Sequence, residues 1–158
     1  MMREKLTQAS SCQFDVRIVA DYKEYLYTFE MQCTQDTNSD LHFVVTAPET
    51  IAGLTGIVSS NSGKLIFDDK ALAFPTLADD QITPVSAPWV FMNTLKSGYI
   101  RACGKEEDGY FLTIDDSYQE NALQLDIRTD HDFIPMHADI LWQGRRILAL
   151  TISNYRLS

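Results

Sequence analysis

SAPWVFMNTLKSG, residues 86–98, is the one stretch that reads as a helix in a chain otherwise made of short strands. Ser86 can cap it, because its hydroxyl accepts from an orphan N–H of the first turn. Pro88 is tolerated in that turn, where its missing N–H has no intrahelical partner to lose. Gly98 suits the left-handed position that ends many helices. Between these ends Trp89, Val90, Phe91 and Met92 are apolar in succession, and Leu95 follows. A surface helix carries one apolar stripe, whereas this one is apolar nearly all round in its first half. It therefore needs walls on several sides, and a curved sheet with the helix in its hollow provides them.

Outward from the helix, the chain alternates with the two-residue period of half-buried strands. On the N-terminal side, Cys12, Phe14, Val16, Ile18 and Ala20 share one face, and Tyr25, Tyr27, Phe29, Met31 and Cys33 share another. A two-residue hairpin at Tyr22-Lys23 would oppose Ala20 with Tyr25, Ile18 with Tyr27, Val16 with Phe29, Phe14 with Met31 and Cys12 with Cys33. Strands follow at 41–47, 54–60, 64–69 and 71–74, and residues 2–9 have the pattern of a short helix. Past Gly98 come YIRACG, YFLTIDD, ALQLDIRT, PMHADILW and RRILALTISNY, the last two joined across Gln143-Gly144. The run Ile147–Ile152 is apolar at nearly every position and predicts a central strand buried on both faces. The expected architecture is mainly β with few helices. It is a curved antiparallel sheet of about eleven strands, an incomplete, half-open barrel, with the helix filling the concave side.

Composition narrows the function classes. At 158 residues the chain fits one domain spanning 1–158. A net charge of −9 argues against nucleic acid, whose binding rests on phosphate neutralisation, and against adhesion to anionic lipid. No run approaches the ~20 apolar residues of a membrane-spanning helix. The start, MMREKLTQAS, is charged and has no apolar core of a signal peptide. Two settings follow as expectations: a cytosolic protein, or a chain whose export signal has been trimmed away.

Local signatures of catalysis are missing. There is no G-x-S-x-G, no P-loop and no G-x-G-x-x-G. His42, His131 and His137 lie at no metal-ligand spacing, so neither a metal nor a cofactor is expected. Asp68-Asp69, Asp79-Asp80 and Asp115-Asp116 sit at strand ends or in loops, and neighbours on a strand point to opposite faces. An enzyme using Asp115 and Asp116 is the least favoured class. Arg145-Arg146 beside Trp142 is either an anion or partner contact or a solvated strand start. Cys12 and Cys33 are either a cross-strand disulfide or two apolar thiols in a core face; Cys103 is read as a buried thiol. What remains is an excess of large apolar side chains. Trp89, Phe91, Met92 and Leu95 on the helix face Tyr25, Tyr27, Phe29 and Phe43 on the sheet, either as core or as the lining of a cavity able to take an acyl chain.

This pattern resembles the LolA/LolB-like lipoprotein-carrier superfamily over about residues 12–156. Residues 44–98, VVTAPETIAGLTGIVSSNSGKLIFDDKALAFPTLADDQITPVSAPWVFMNTLKSG, are most similar to germination lipoproteins related to GerS of spore-forming anaerobic bacteria. The resemblance implies a half-barrel of antiparallel strands closed by helices and no enzymatic activity. It implies an exported, membrane-anchored lipoprotein precursor, attached only through a lipid anchor that this chain lacks. The carriers sequester acyl chains under a helix lid. Relatives of GerS bind a protein of the cell envelope, a cell-wall amidase of the spore cortex. The expected function is an extracytoplasmic binding protein for an apolar ligand, an acyl chain or a lipidated protein. The alternative is an interaction module for a cell-wall enzyme in sporulation or germination.

Overall fold

The computed structural model describes residues 11–24, 26–35, 41–49, 52–53, 55–58, 65–67, 87–115 and 122–157. Before the helix come β1 (Cys12–Asp21), β2 (Leu26–Gln35), β3 (Leu41–Ala47), β4 (Thr55–Val58) and β5 (Leu65–Phe67). After α1 (Ala87–Ser97) come β6 (Tyr99–Glu106), β7 (Gly109–Asp115), β8 (Leu123–Thr129), β9 (Pro135–Trp142) and β10 (Arg145–Leu157). The expected strand at 71–74, the helix at 2–9, Ser86 and Tyr25 lie outside the described residues.

The ten described strands form one antiparallel sheet in the order β5-β4-β3-β2-β1-β10-β9-β8-β7-β6. The first and last strands of the chain, β1 and β10, are thus neighbours in the middle. Each half is a meander, and α1 precedes β6 in the segment that joins them. Among the described residues, β5 and β6 form no ladder with each other, so the barrel is open. Register irregularities at Gln13/Asp15, Glu30/Met31, Ile100/Ala102, Arg128/Thr129 and Arg146/Leu148 bend the strands locally, as bulges do.

One face of the sheet carries the core. A row of directly paired residues runs Phe29, Ile18, Leu150, Ala138, Ile127, Leu112, Cys103 from β2 to β6. The next row runs Tyr27, Ala20, Leu148, Ile140, Leu125, Ile114, Ile100. Helix α1 lies against this face. Its Ala87, Phe91, Met92 and Leu95 are buried, and the Phe91 ring meets the Phe14 ring edge-on, with centroids 6.2 Å apart and planes at 71°.

Three expectations need correction. The β1–β2 register is shifted by two residues: Asp21 faces Leu26, Phe14 faces Cys33 and Cys12 faces Gln35. The connection is therefore four residues long. Asp21 Oδ1 accepts the Lys23 N–H at 2.8 Å, and Lys23 takes a left-handed φ of 72°. Arg145 pins the same corner, donating to Asp21 Oδ1 at 2.8 Å and to its carbonyl at 3.0 Å. Cys12 and Cys33 become diagonal rather than opposed, and neither is in a disulfide, so the shift removes the pairing a disulfide required. The apolar run in β10 also has another cause. Ile147 is the extra residue of the bulge between Arg146 and Leu148, which buries two consecutive side chains, while Thr151 on the opposite face is exposed. Finally, Gly98 does not take a left-handed φ. It is needed because a Cβ there would lie 2.6 Å from Ile114 Cγ2 and 2.7 Å from the Thr94 carbonyl oxygen. Its N–H closes the helix onto that carbonyl at 2.7 Å.

The turn at Gln143-Gly144 is as expected. Trp142 pairs with Arg145, and both loop residues have positive φ, 51° and 79°, the twist a two-residue hairpin favours.

Candidate functional site

Burial along the two rows of core residues fades toward β6. Ile127 and Leu125 are fully buried and Leu112 is half-buried, whereas Cys103 and Ile100 at the ends of the rows are exposed, Ile100 by 48%. The reason is topological. β6 is an outer strand of the sheet, and α1 meets this end through Gly98 and Leu95 only as the helix terminates. The apolar face therefore continues past the cover that α1 provides.

A cavity of about 380 Å³ occupies that place. Leu95 contributes from α1, Ile100 and Cys103 from β6, Leu112 and Ile114 from β7. Phe133, from the β8–β9 connection, closes one side. Its ring stacks on Tyr110 at a centroid distance of 4.5 Å and an interplanar angle of 13°. Phe133 has a left-handed φ of 62°, and the turn that holds it is built on Asp130. That carboxylate accepts the N–H groups of Asp132 at 2.8 Å and Ile134 at 3.0 Å. The volume falls in the range of small-ligand sites, and the lining is almost wholly apolar.

The sequence-derived ligand set divides on this geometry. Leu95 lines the cavity. Phe91, Met92, Phe29 and Phe43 are each at most 2% exposed and pack together in the core. Trp89 and Tyr27 are partly buried against it. The β6–β7 residues and Phe133 were not among the candidates. The signal for them is the pairing of YIRACGK with GYFLTID, in which a bulge between Ile100 and Ala102 brings Ile100, Cys103 and Lys105 onto one face with Ile114, Leu112 and Tyr110.

Cys103, expected to be buried, is exposed because it lies on an outer strand. Burial, and then the negative charge of Asp15, push the Cys33 thiol well above its ordinary range, so it stays protonated. Burial likewise raises the Tyr155 phenol, helped by Cys12 beside it. His137 Nε2 lies 2.9 Å from Asp139 Oδ1, and Arg146 lies 3.8 Å from the same oxygen. Arg145 is the partner of Asp21. His131 meets the edge of Tyr110 at 6.4 Å. Among the described residues no group of three or more His, Cys, Asp or Glu side chains could hold a metal, and no helix is long and apolar enough to cross a membrane. Asp68, Asp69, Asp79, Asp80 and Asp116 lie outside the described residues.

No family model and no characterised protein sequence matches the chain. Its fold is similar to solved structures. An uncharacterised conserved protein of Thermus thermophilus aligns with a TM-score of 0.51 at 9% identity, over 99% of this chain and 84% of that one. A LolA superfamily protein of Nitrosomonas europaea aligns with a TM-score of 0.43 at 12% identity, over 99% and 92%. A DUF1329 family protein of Desulfovibrio piger aligns with a TM-score of 0.47 at 6% identity, over 99% and 89%. At such identities the likeness concerns the fold alone, which the Thermus protein shares along nearly the whole chain.

Proposed function

We propose that this protein is a non-enzymatic binding protein that holds an apolar chain, of the acyl class, in the cavity between α1, β6 and β7. One observation carries the reading: the apolar face of the sheet runs on beyond its helical cover into a walled hollow of about 380 Å³. Apolar surface left open to water is costly at about 25 cal/mol per Å², and a bound chain removes that cost. The helix acts as a fixed plug against β1 through Phe91 and as the inner wall of the site through Leu95. The resemblance to lipoprotein carriers is in keeping with an extracytoplasmic setting and a lipoprotein-type precursor.

Cys103 supplies the test. It lines the cavity and is exposed, while Cys12 and Cys33 are buried. Alkylation by N-ethylmaleimide should give a single adduct at Cys103, slowed by dodecanol below its aggregation threshold. If dodecanol leaves the rate unchanged and native mass spectrometry finds no bound lipid, the cavity reading fails. An interaction module for a cell-wall enzyme, the role of GerS relatives, would then be the better account.

A further inference from the structure

Resting on the reading that the cavity holds a chain, we infer that its ligand is an anionic amphiphile of the fatty-acid class whose carboxylate is met by Lys105. The ladder places Lys105 opposite Tyr110, on the face shared by Cys103 and Leu112, at the end of the cavity where the Tyr110 and Phe133 rings stack. Among the described residues it is the one charged side chain that lines the cavity. It is exposed, and among the described residues no carboxylate pairs with it. The acidic neighbour Glu106 is drawn to Arg128 at 3.9 Å. A chain with net charge −9 repels anions overall, and the turn that follows carries Glu107 and Asp108, so Lys105 at the lip of the apolar hollow is the one cationic point of the lining among the described residues. The arrangement matches a ligand with an apolar tail and a negative head: the tail takes the hollow and the head stays at the water line beside the ammonium. A cationic head would meet Lys105 and be repelled, and a neutral head would leave it without a counter-charge.

Three ligands with the same twelve-carbon tail separate the head from the tail: dodecanoate, dodecanol and dodecyltrimethylammonium. Each is titrated against N-ethylmaleimide alkylation of Cys103 in the wild-type protein and in Lys105→Gln. An exposed ion pair contributes up to about 1 kcal/mol, so dodecanoate should protect at about fivefold lower concentration than dodecanol. The cation should protect least. In Lys105→Gln the acid and the alcohol should become equal while dodecanol protection is unchanged, and high salt should shrink the wild-type difference. Equal protection by all three ligands in both proteins overturns the anionic head and leaves the cavity standing. Protection by none overturns the cavity reading together with this inference. Lys105 is exposed, so Lys105→Gln should fold as the wild type does, which circular dichroism checks.

Discussion

Replacing Phe91 with Ala separates a plug from a lid. Phe91 is fully buried in the middle of α1, and its ring lies edge-on to Phe14, itself 2% exposed, at 6.2 Å. Truncating a buried Phe costs about 3–5 kcal/mol through lost transfer energy and the residual void. Within that total, the ring pair accounts for about 0.5–1.5 kcal/mol. The expected loss is about 4 kcal/mol, a fall in melting temperature of roughly 8–16 °C for a chain of this size. The urea midpoint should drop with the slope unchanged, as for a two-state protein that has lost only stability. A double-mutant cycle with Phe14→Ala should recover about 1 kcal/mol of coupling. Phe91 does not line the cavity, so ligand protection of Cys103 should be retained. A loss below about 1 kcal/mol, joined to faster ligand release, would refute the plug and make α1 a movable lid.

Gly98→Ala should cost about 1–3 kcal/mol by overpacking, since the new methyl would press on Ile114 and on the Thr94 carbonyl; Ile114 lines the cavity, so the variant should also weaken ligand protection of Cys103. Stability should fall on the alkaline side. The Cys33 thiol is raised in the fold, so its contribution is complete below the unfolded value near 8.5 and is lost as pH rises above it. Between pH 7 and 10 that amounts to about 2 kcal/mol, and Cys33→Ala should flatten the decline in urea midpoint. An equal decline in the variant would assign the effect to other groups.

The core half of the fold was legible because its residues obey a simple period. Phe14, Val16 and Ile18 alternate with Gln13, Asp15 and Arg17, and a period of two has one geometric meaning. The same regularity hid the register. A slip of two residues preserves every face, so Val16 opposite Phe29 and Val16 opposite Met31 are equally apolar pairings. The choice between them lies in Asp21, which caps its own turn and binds Arg145 from the far end of the chain. No local pattern announces an ion pair between residues so distant in sequence. Bulges are equally silent: Ile147 looks like evidence of a doubly covered strand and is instead an extra residue in a bent one.

The site was hidden for a related reason. Large aromatic residues attract attention, and Phe29, Phe43 and Phe91 are large because they fill the core completely. A cavity arises where side chains fail to fill space, so its lining need not be conspicuous: Ile100, Cys103, Leu112 and Ile114 are ordinary strand residues. What makes them a site is that β6 is an outer strand and that α1 ends at Gly98 before covering it. Strand order is a property of the whole chain, fixed by β10 returning to β1. The helix that organises the core therefore also sets the limit of the core. On the proposed reading, the room for a ligand follows from where α1 stops, because Ser97 ends the helix and Tyr99 already begins β6.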